Sequence, residues 1–330
     1  MRLASVLVVG SFLLVFFGAS VLAEPIRIKF SHVVAENTPK GIGANLFKEL
    51  AENRTQGRVQ VTVFPNASVA DDDEVFDALI HNEIQMAAPS FGKFSRWTEV
   101  LQVFDLPFLF KDINEVHRFQ SSKTGQILLD SVTDQGIKGL AYWDNGLRVI
   151  SANKPLRLPS DTKGLVFRVE PSDMQAAQFE VLNAIPEKLP FSMVYEALET
   201  GLIDGQQNAW SNIWSRKFYE HQKYFTETNH SYLGYMLITS TEFWNGLPKD
   251  IREELNSVIE DVTKEVNKRA LEQSSEHRRR VQDSGKAEIL TLTPEQHEAW
   301  RDAMRPVWKS FESRIGKEII DAALTSTASE

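Results

Sequence analysis

The sequence predicts an α/β protein, layers of strand and helix with one long helix in its second half. Three observations carry that expectation. Strand-like segments of period two alternate with helix-like segments from Glu24 to about residue 209, the pattern of α/β layers. After Leu247-Pro248, Ile251, Leu255, Val258, Ile259, Val262, Val266 and Ala270 recur at helical spacing on one stripe. The chain has 330 residues, 42% hydrophobic and 25% charged, an ordinary globular composition with length for about two domains.

Taken in order, Arg2, the apolar stretch Leu3 to Ser20 and the small-residue pattern Val21-Leu22-Ala23 read as a secretory signal over residues 1–23, with Glu24 as the mature start. The alternative is a membrane anchor, but no basic stop-transfer cluster follows. Ile26 to Phe30 alternates as a half-buried strand. Lys40 to Asn53 is an expected helix, whose Gly41-Ile42-Gly43 start lacks the third glycine of a dinucleotide fingerprint, Leu46 standing there instead. Arg58 to Phe64 is a second strand, ended by Pro65. Asp71-Asp72-Asp73-Glu74 precedes Val75, Ala78 and Leu79 and reads as a helix N-terminus, where carboxylates satisfy free amides; it lacks the spaced ligands of a calcium loop. The aromatic run Val103 to Phe110 is expected in the core or at a hinge.

A second alternating block follows. Strands are expected over Ile137–Trp143, Leu147–Ala152 and Leu165–Val169, helices over Met174–Leu182 and Met193–Thr200, and an extended segment over Leu202–Ala209. Arg278-Arg279-Arg280 near the end of the long helix complement its dipole, and Pro294 to Ala323 reads as one terminal helix packed through Trp300, Met304, Trp308 and Phe311.

Several function classes drop out. With no cysteine there is no disulfide, thiol nucleophile or thiolate metal site, and a net charge of −9 argues against nucleic acid as a partner. No nucleophile elbow, P-loop or zinc-protease motif occurs, and the 7 histidines lack ligand spacing. Ser90-Phe91-Gly92-Lys93 and Lys123-Thr124-Gly125 imitate two elements of penicillin-recognising enzymes, but the third, Ser172-Asp173-Met174, follows both and ends in Met. No catalytic residue, metal or cofactor is expected.

One ordered set of motifs remains. Gly164-Leu165-Val166-Phe167-Arg168-Val169, Phe191-Ser192-Met193-Val194-Tyr195-Glu196-Ala197-Leu198-Glu199-Thr200-Gly201 and Ile203-Asp204-Gly205-Gln206-Gln207-Asn208 closely resemble the extracytoplasmic solute-binding proteins of TRAP transporters. Asn37-Thr38-Pro39-Lys40-Gly41, Ser90-Phe91-Gly92-Lys93-Phe94, Asp105-Leu106-Pro107-Phe108-Leu109-Phe110 and Asn145-Gly146-Leu147-Arg148 fall in the order and spacing of their dicarboxylate-binding branch, DctP.

The resemblance implies a two-domain clamp of the periplasmic-binding-protein kind, with a long helix spanning both domains. The expected division is 24–147 plus about 236–275 for one domain and 148–235 plus about 276–330 for the other, with the ligand cleft between. It implies that Arg168 pairs with a ligand carboxylate, for which a planar guanidinium suits two parallel hydrogen bonds. It further implies that Arg148 adds charge at the same end, Asn208 donates an amide hydrogen bond and Phe191 packs beside the ligand. Ser90 and Lys93 are expected at the far end, where a hydroxyl and a cation suit a second carboxylate; Lys40 is placed there more loosely, and Trp210 is expected to close the cleft. The implied function is a periplasmic protein that captures a C4-dicarboxylate such as succinate, malate or fumarate, delivers it to TRAP permease subunits in the membrane, and acts as a monomer and not as an enzyme. Another organic acid, a periplasmic sensor and, least favoured, a secreted hydrolase or lyase stay open.

Overall fold

The computed structural model describes residues 24–327, so the signal expected over residues 1–23 lies outside the described residues. The first strand, β1 (Ile26–Ser31), buries Ile28 and Phe30 at alternate positions, as period two requires. Thr38 caps α1 (Pro39–Arg54) by accepting from the Gly41 N–H, with Pro39 as first residue. Strand β2 (Val59–Phe64) then pairs parallel to β1. Helix α2 (Val75–Ile80) leads to the short β3 (Met86–Ala87), parallel to β1. Two 3₁₀ turns, Phe91–Arg96 and Val100–Asp105, bring the aromatic run into the core beside Phe119 and Tyr142. Helices α3 (Ile113–Ser121) and α4 (Lys123–Leu128) precede β4 (Ile137–Leu147).

At Arg148 the chain passes to a second sheet. Strands β5 (Val149–Ala152) and β6 (Val166–Val169), helix α5 (Asp173–Glu180), β7 (Ile185–Lys188), α6 (Val194–Thr200), β8 (Gly205–Asn208), α7 (Trp210–Ser215) and β9 (Tyr224–Thr226) follow in turn. Strand β10 (Tyr232–Ser240) then returns to the first sheet between β3 and β4, with all its 9 residues buried. A strand covered on both faces has no wet side and hence no period of two, which is why the pattern did not disclose it. Residues 227–231 connect β9 of the second sheet to β10 of the first.

Helix α8 (Thr241–Gly246) and the 35-residue α9 (Lys249–Asp283) come next, then β11 (Glu288–Leu290), which joins the second sheet beside β9. The terminal helix expected to be single is two, α10 (Pro294–Ile315) and α11 (Lys317–Thr327): Gly316, at φ +99°, turns the chain between them. The sheets run β2-β1-β3-β10-β4 and β11-β9-β5-β8-β6-β7.

The two sheets with their helices form two lobes of one clamp. All seven residues of the predicted α9 stripe are buried, the first six of them in the core of the first lobe with α1 and β4, whereas Val281 near its end enters the core of the second. Helix α10 also spans the lobes, with Trp300 and Met304 in the second core and Val307, Phe311 and Ile315 in the first. Among the described residues no helix is long and apolar enough to cross a membrane.

Candidate ligand-binding site

The second lobe supplies the central cation. Arg168 lies on β6, between Glu187 of β7 and Gln206 of β8, and is 2% exposed. Its Nε donates to the Leu189 carbonyl at 2.9 Å, and its Cζ stands 5.9 Å from the Phe191 ring centroid. Its Nη2 is buried with no hydrogen-bond partner, and no carboxylate lies within ion-pair distance of it among the described residues. A buried guanidinium so left is costly unless an anion completes it. Asn208, at the end of β8, accepts at Oδ1 from the Ala209 N–H and from Asn212 Nδ2, so its own amide group is left as a donor.

The first lobe faces these groups with Val33, Val34, Asp72, Ser90, Lys93, Leu233 and Tyr235, and Arg168, Glu170, Phe191, Asn208 and Asn212 close the wall from the second. The space left between them is about 20 Å³, room for about one water molecule, so the lobes stand close together on the site. A larger cavity of about 590 Å³ lies between Ile26, Phe243 and Pro248, but no unpartnered buried donor faces it; buried charge rather than size marks the site.

Around Arg168 the charges are densely paired. Glu170 accepts from Arg148 Nη2 at 2.7 Å and, across the cleft, from the Ser90 hydroxyl. Burial alone would raise the Glu170 carboxyl, yet Arg148, Arg168, Lys93 and Ser90 together hold it down at about 2. Burial pushes Asp105 up to about 6 against the pull of Arg148, 3.6 Å away, and pushes Asp72 up to about 6 against Lys40 and Lys93. Lys93 donates to Asp73 at 2.7 Å.

Of the residues singled out in the sequence, the structure brings Arg168, Asn208, Phe191, Ser90 and Lys93 around one cleft. It does not bring the other three there. Arg148 stands behind Glu170, tied to that residue and to Asp105, with Nε and Nη1 buried and unpartnered. Lys40, near the start of α1, is spent on the Ala88 carbonyl at 2.8 Å and the Tyr235 ring at 3.9 Å. Trp210 opens α7 with its ring against Phe225 in the apolar core, and borders a different cavity with Gly146, Glu227 and Arg278.

The acidic run is corrected as well. Glu74 is the N-cap of α2 without a side-chain cap bond, while Asp72 faces Lys40, Asp73 pairs with Lys93 and Asp71 accepts from Ser192 across the cleft at 2.8 Å. Asp72 and Asp73 balance cations of the site, whereas Glu74 Oε2 and Asp71 Oδ1 accept from the Asp71 and Asp72 N–H groups, so part of the run does satisfy free amides ahead of the helix. Arg278 likewise does more than oppose a dipole, donating through Nε and Nη2 to both oxygens of Glu227. The imitation of a penicillin-recognising site dissolves, since Ser90 and Lys93 serve different carboxylates.

The family model described as bacterial extracellular solute-binding protein, family 7, matches residues 30–314. The C4-dicarboxylate-binding periplasmic protein DctP of Shewanella loihica is 50% identical over 304 residues, 92% of this chain and 90% of that one. A TRAP periplasmic solute-binding protein of Shewanella oneidensis, solved with bound succinate, superposes with a TM-score of 0.91 at 49% identity, over 92% of this chain and 99% of that one. Another from Pseudomonas aeruginosa, solved with L-malate, gives 0.85 at 47% identity, over 87% and 100%.

Proposed function

The chain belongs to the bacterial extracellular solute-binding proteins of family 7, and from that premise we propose that it captures a C4-dicarboxylate in the cleft and delivers it to a TRAP permease. The observation that carries this reading is Arg168, a buried guanidinium with an unpartnered donor, opposite Ser90 and Lys93 on the other lobe. One carboxylate of the ligand takes Arg168 and the Asn208 amide, with Phe191 flanking it. The other takes Ser90 and Lys93, so the ligand bridges the lobes. Arg148 acts from behind, fixing Glu170 rather than touching the ligand.

We take the two sheets with their helices as the two domains, hinged at Arg148, at residues 227–231 and along α9. A ligand held by both domains binds the closed clamp better than the open one and shifts the equilibrium toward it. The permease then reads the closed surface. Relatives named as periplasmic support delivery from that compartment.

Thermal-shift measurements against acids of graded length test the reading. Succinate or malate at 100 times its dissociation constant should add about 2.7 kcal/mol of stability, a rise of several degrees, whereas acetate and butyrate should add little. Arg168→Lys should cost the dicarboxylate at least about 100-fold in affinity by calorimetry, because an ammonium cannot make the paired hydrogen bonds, while the ligand-free melting temperature changes little. Stabilisation by sugar or aromatic acids in place of dicarboxylates would overturn the assignment of Ser90 and Lys93.

A further inference from the structure

A carboxylate of the protein's own is an unexpected wall for an anion site. Glu170 is 5% exposed and borders the cleft between the Arg168 end and the Ser90–Lys93 end. Two residues beyond Arg168 and just past the end of β6, it borders the same cleft. Arg148 occupies one lone pair of Oε1 and Ser90 one of Oε2, and an ionised carboxylate has about four in all. An acceptor remains on each oxygen, and the group cannot donate.

A dicarboxylate stretched between the two ends lays its carbon chain beside this acceptor. If that chain carries only methylenes, the ligand sets two negative charges near a third and gives Glu170 nothing in return. If it carries a hydroxyl, the O–H donates to Glu170 in a charge-assisted bond, and its oxygen can accept from neighbouring donors.

We propose that Glu170 is a specificity-determining residue that selects hydroxyl-bearing C4-dicarboxylates over unsubstituted ones by accepting a hydrogen bond from the ligand hydroxyl. The inference rests on the cleft being the dicarboxylate site. The charge state supports it: a carboxyl held at about 2 stays an obligate acceptor at any working pH. Specificity of this kind comes from a polar group that the wrong ligand leaves unpaired.

Calorimetry with succinate, L-malate and D-malate tests it on the wild type and on Glu170→Gln, each variant first checked by its melting curve. The wild type should bind one malate enantiomer at least about tenfold more tightly than succinate, the worth of one charge-assisted hydrogen bond. In Glu170→Gln, succinate should tighten, because a buried like charge is gone, and the ratio should fall to about threefold or less. Should that variant fail to fold, Glu170→Asp keeps the charge, withdraws the acceptor by one methylene, and should lower the same ratio. A wild type with no preference for malate, or a preference that survives in the folded variant, overturns the role of Glu170. Failure of every dicarboxylate to bind the wild type overturns the function reading instead.

Discussion

His117 lies outside the cleft, with its Nε2 at 2.5 Å from Asp144, whose other oxygen accepts from the Tyr232 hydroxyl. The hydrogen bond to Asp144 raises the imidazole above its ordinary 6.5, although burial opposes it. A basic group raised in the folded state contributes stability in full below its unfolded value, and loses it as pH rises through the folded one. The melting temperature of the wild type should therefore exceed that of His117→Gln by most near pH 6, with the gap closing as pH is raised above 6.5. The side chain is 39% exposed, so the gap should be modest, and one that widened with pH would contradict this sign. At the same scale, the site was legible unevenly. Arg168 stood out through its motif alone, since a strand arginine by itself reads as an internal ion pair. Glu170, just past the end of β6, carries a weaker signal, its place two residues from Arg168. Asp72 and Asp73 had none, because four adjacent acids before an apolar helix look the same whether they satisfy amides or buried lysines of their own lobe.

Helix α9 shows why the elements read more cleanly than the residues. Its stripe depends on one local period repeated over 35 residues, so the sequence discloses both the helix and its buried face. Strand β10, covered on both faces, offered no such period, and its absence from the sequence reading hid Tyr235 and Leu233 from the cleft wall. The break at Gly316 leaves no mark in the pattern, because the apolar spacing continues past it. Where α1 meets α9, a single position sets the approach. A Cβ on Gly43 would stand 2.2 Å from the Val266 Cγ2 and 3.4 Å from the Trp143 ring, with backbone on one side and a fully buried branched side chain on the other. Gly43→Ala should push the helices apart despite its better helix propensity, at a cost of about 1–3 kcal/mol, and lower the melting temperature by roughly 2–6 °C. Differential scanning calorimetry reads this directly. A variant as stable as the wild type would mean that α9 yields where the packing looks rigid, and Gly43→Ala/Val266→Ala should recover part of any loss by removing the clash.

At the scale of the whole molecule, the clamp is held shut by contacts that do not belong to the ligand. Arg216 of the second lobe donates to the Val33 carbonyl of the first at 2.7 Å, Ser192 donates to Asp71 at 2.8 Å, and Ser95 of the first donates to the Pro171 carbonyl of the second at 3.3 Å. A four-carbon acid enters when these contacts part and is held when they re-form, so they act on the opening equilibrium and not on the recognition of any one acid. An affinity measured from outside is the intrinsic affinity scaled by the fraction of molecules in the competent state. Removing a closing contact therefore weakens every ligand by one factor. Arg216 is off the cleft wall, and its guanidinium rests 5.1 Å from the Phe191 ring centroid, on a residue that is itself on the wall. Arg216→Gln should lose the bond to Val33, because the shorter side chain ends before the position of Nη2, while keeping a polar side chain. One charge-assisted hydrogen bond corresponds to a rise in dissociation constant of roughly tenfold, to be seen alike for succinate and malate, with dissociation faster by stopped-flow and the ligand-free radius of gyration larger by X-ray scattering. A change in the order of the ligands would instead place Arg216, through Phe191, in the recognition of the acid itself, and an unchanged dissociation rate would show that the closed state does not depend on this contact.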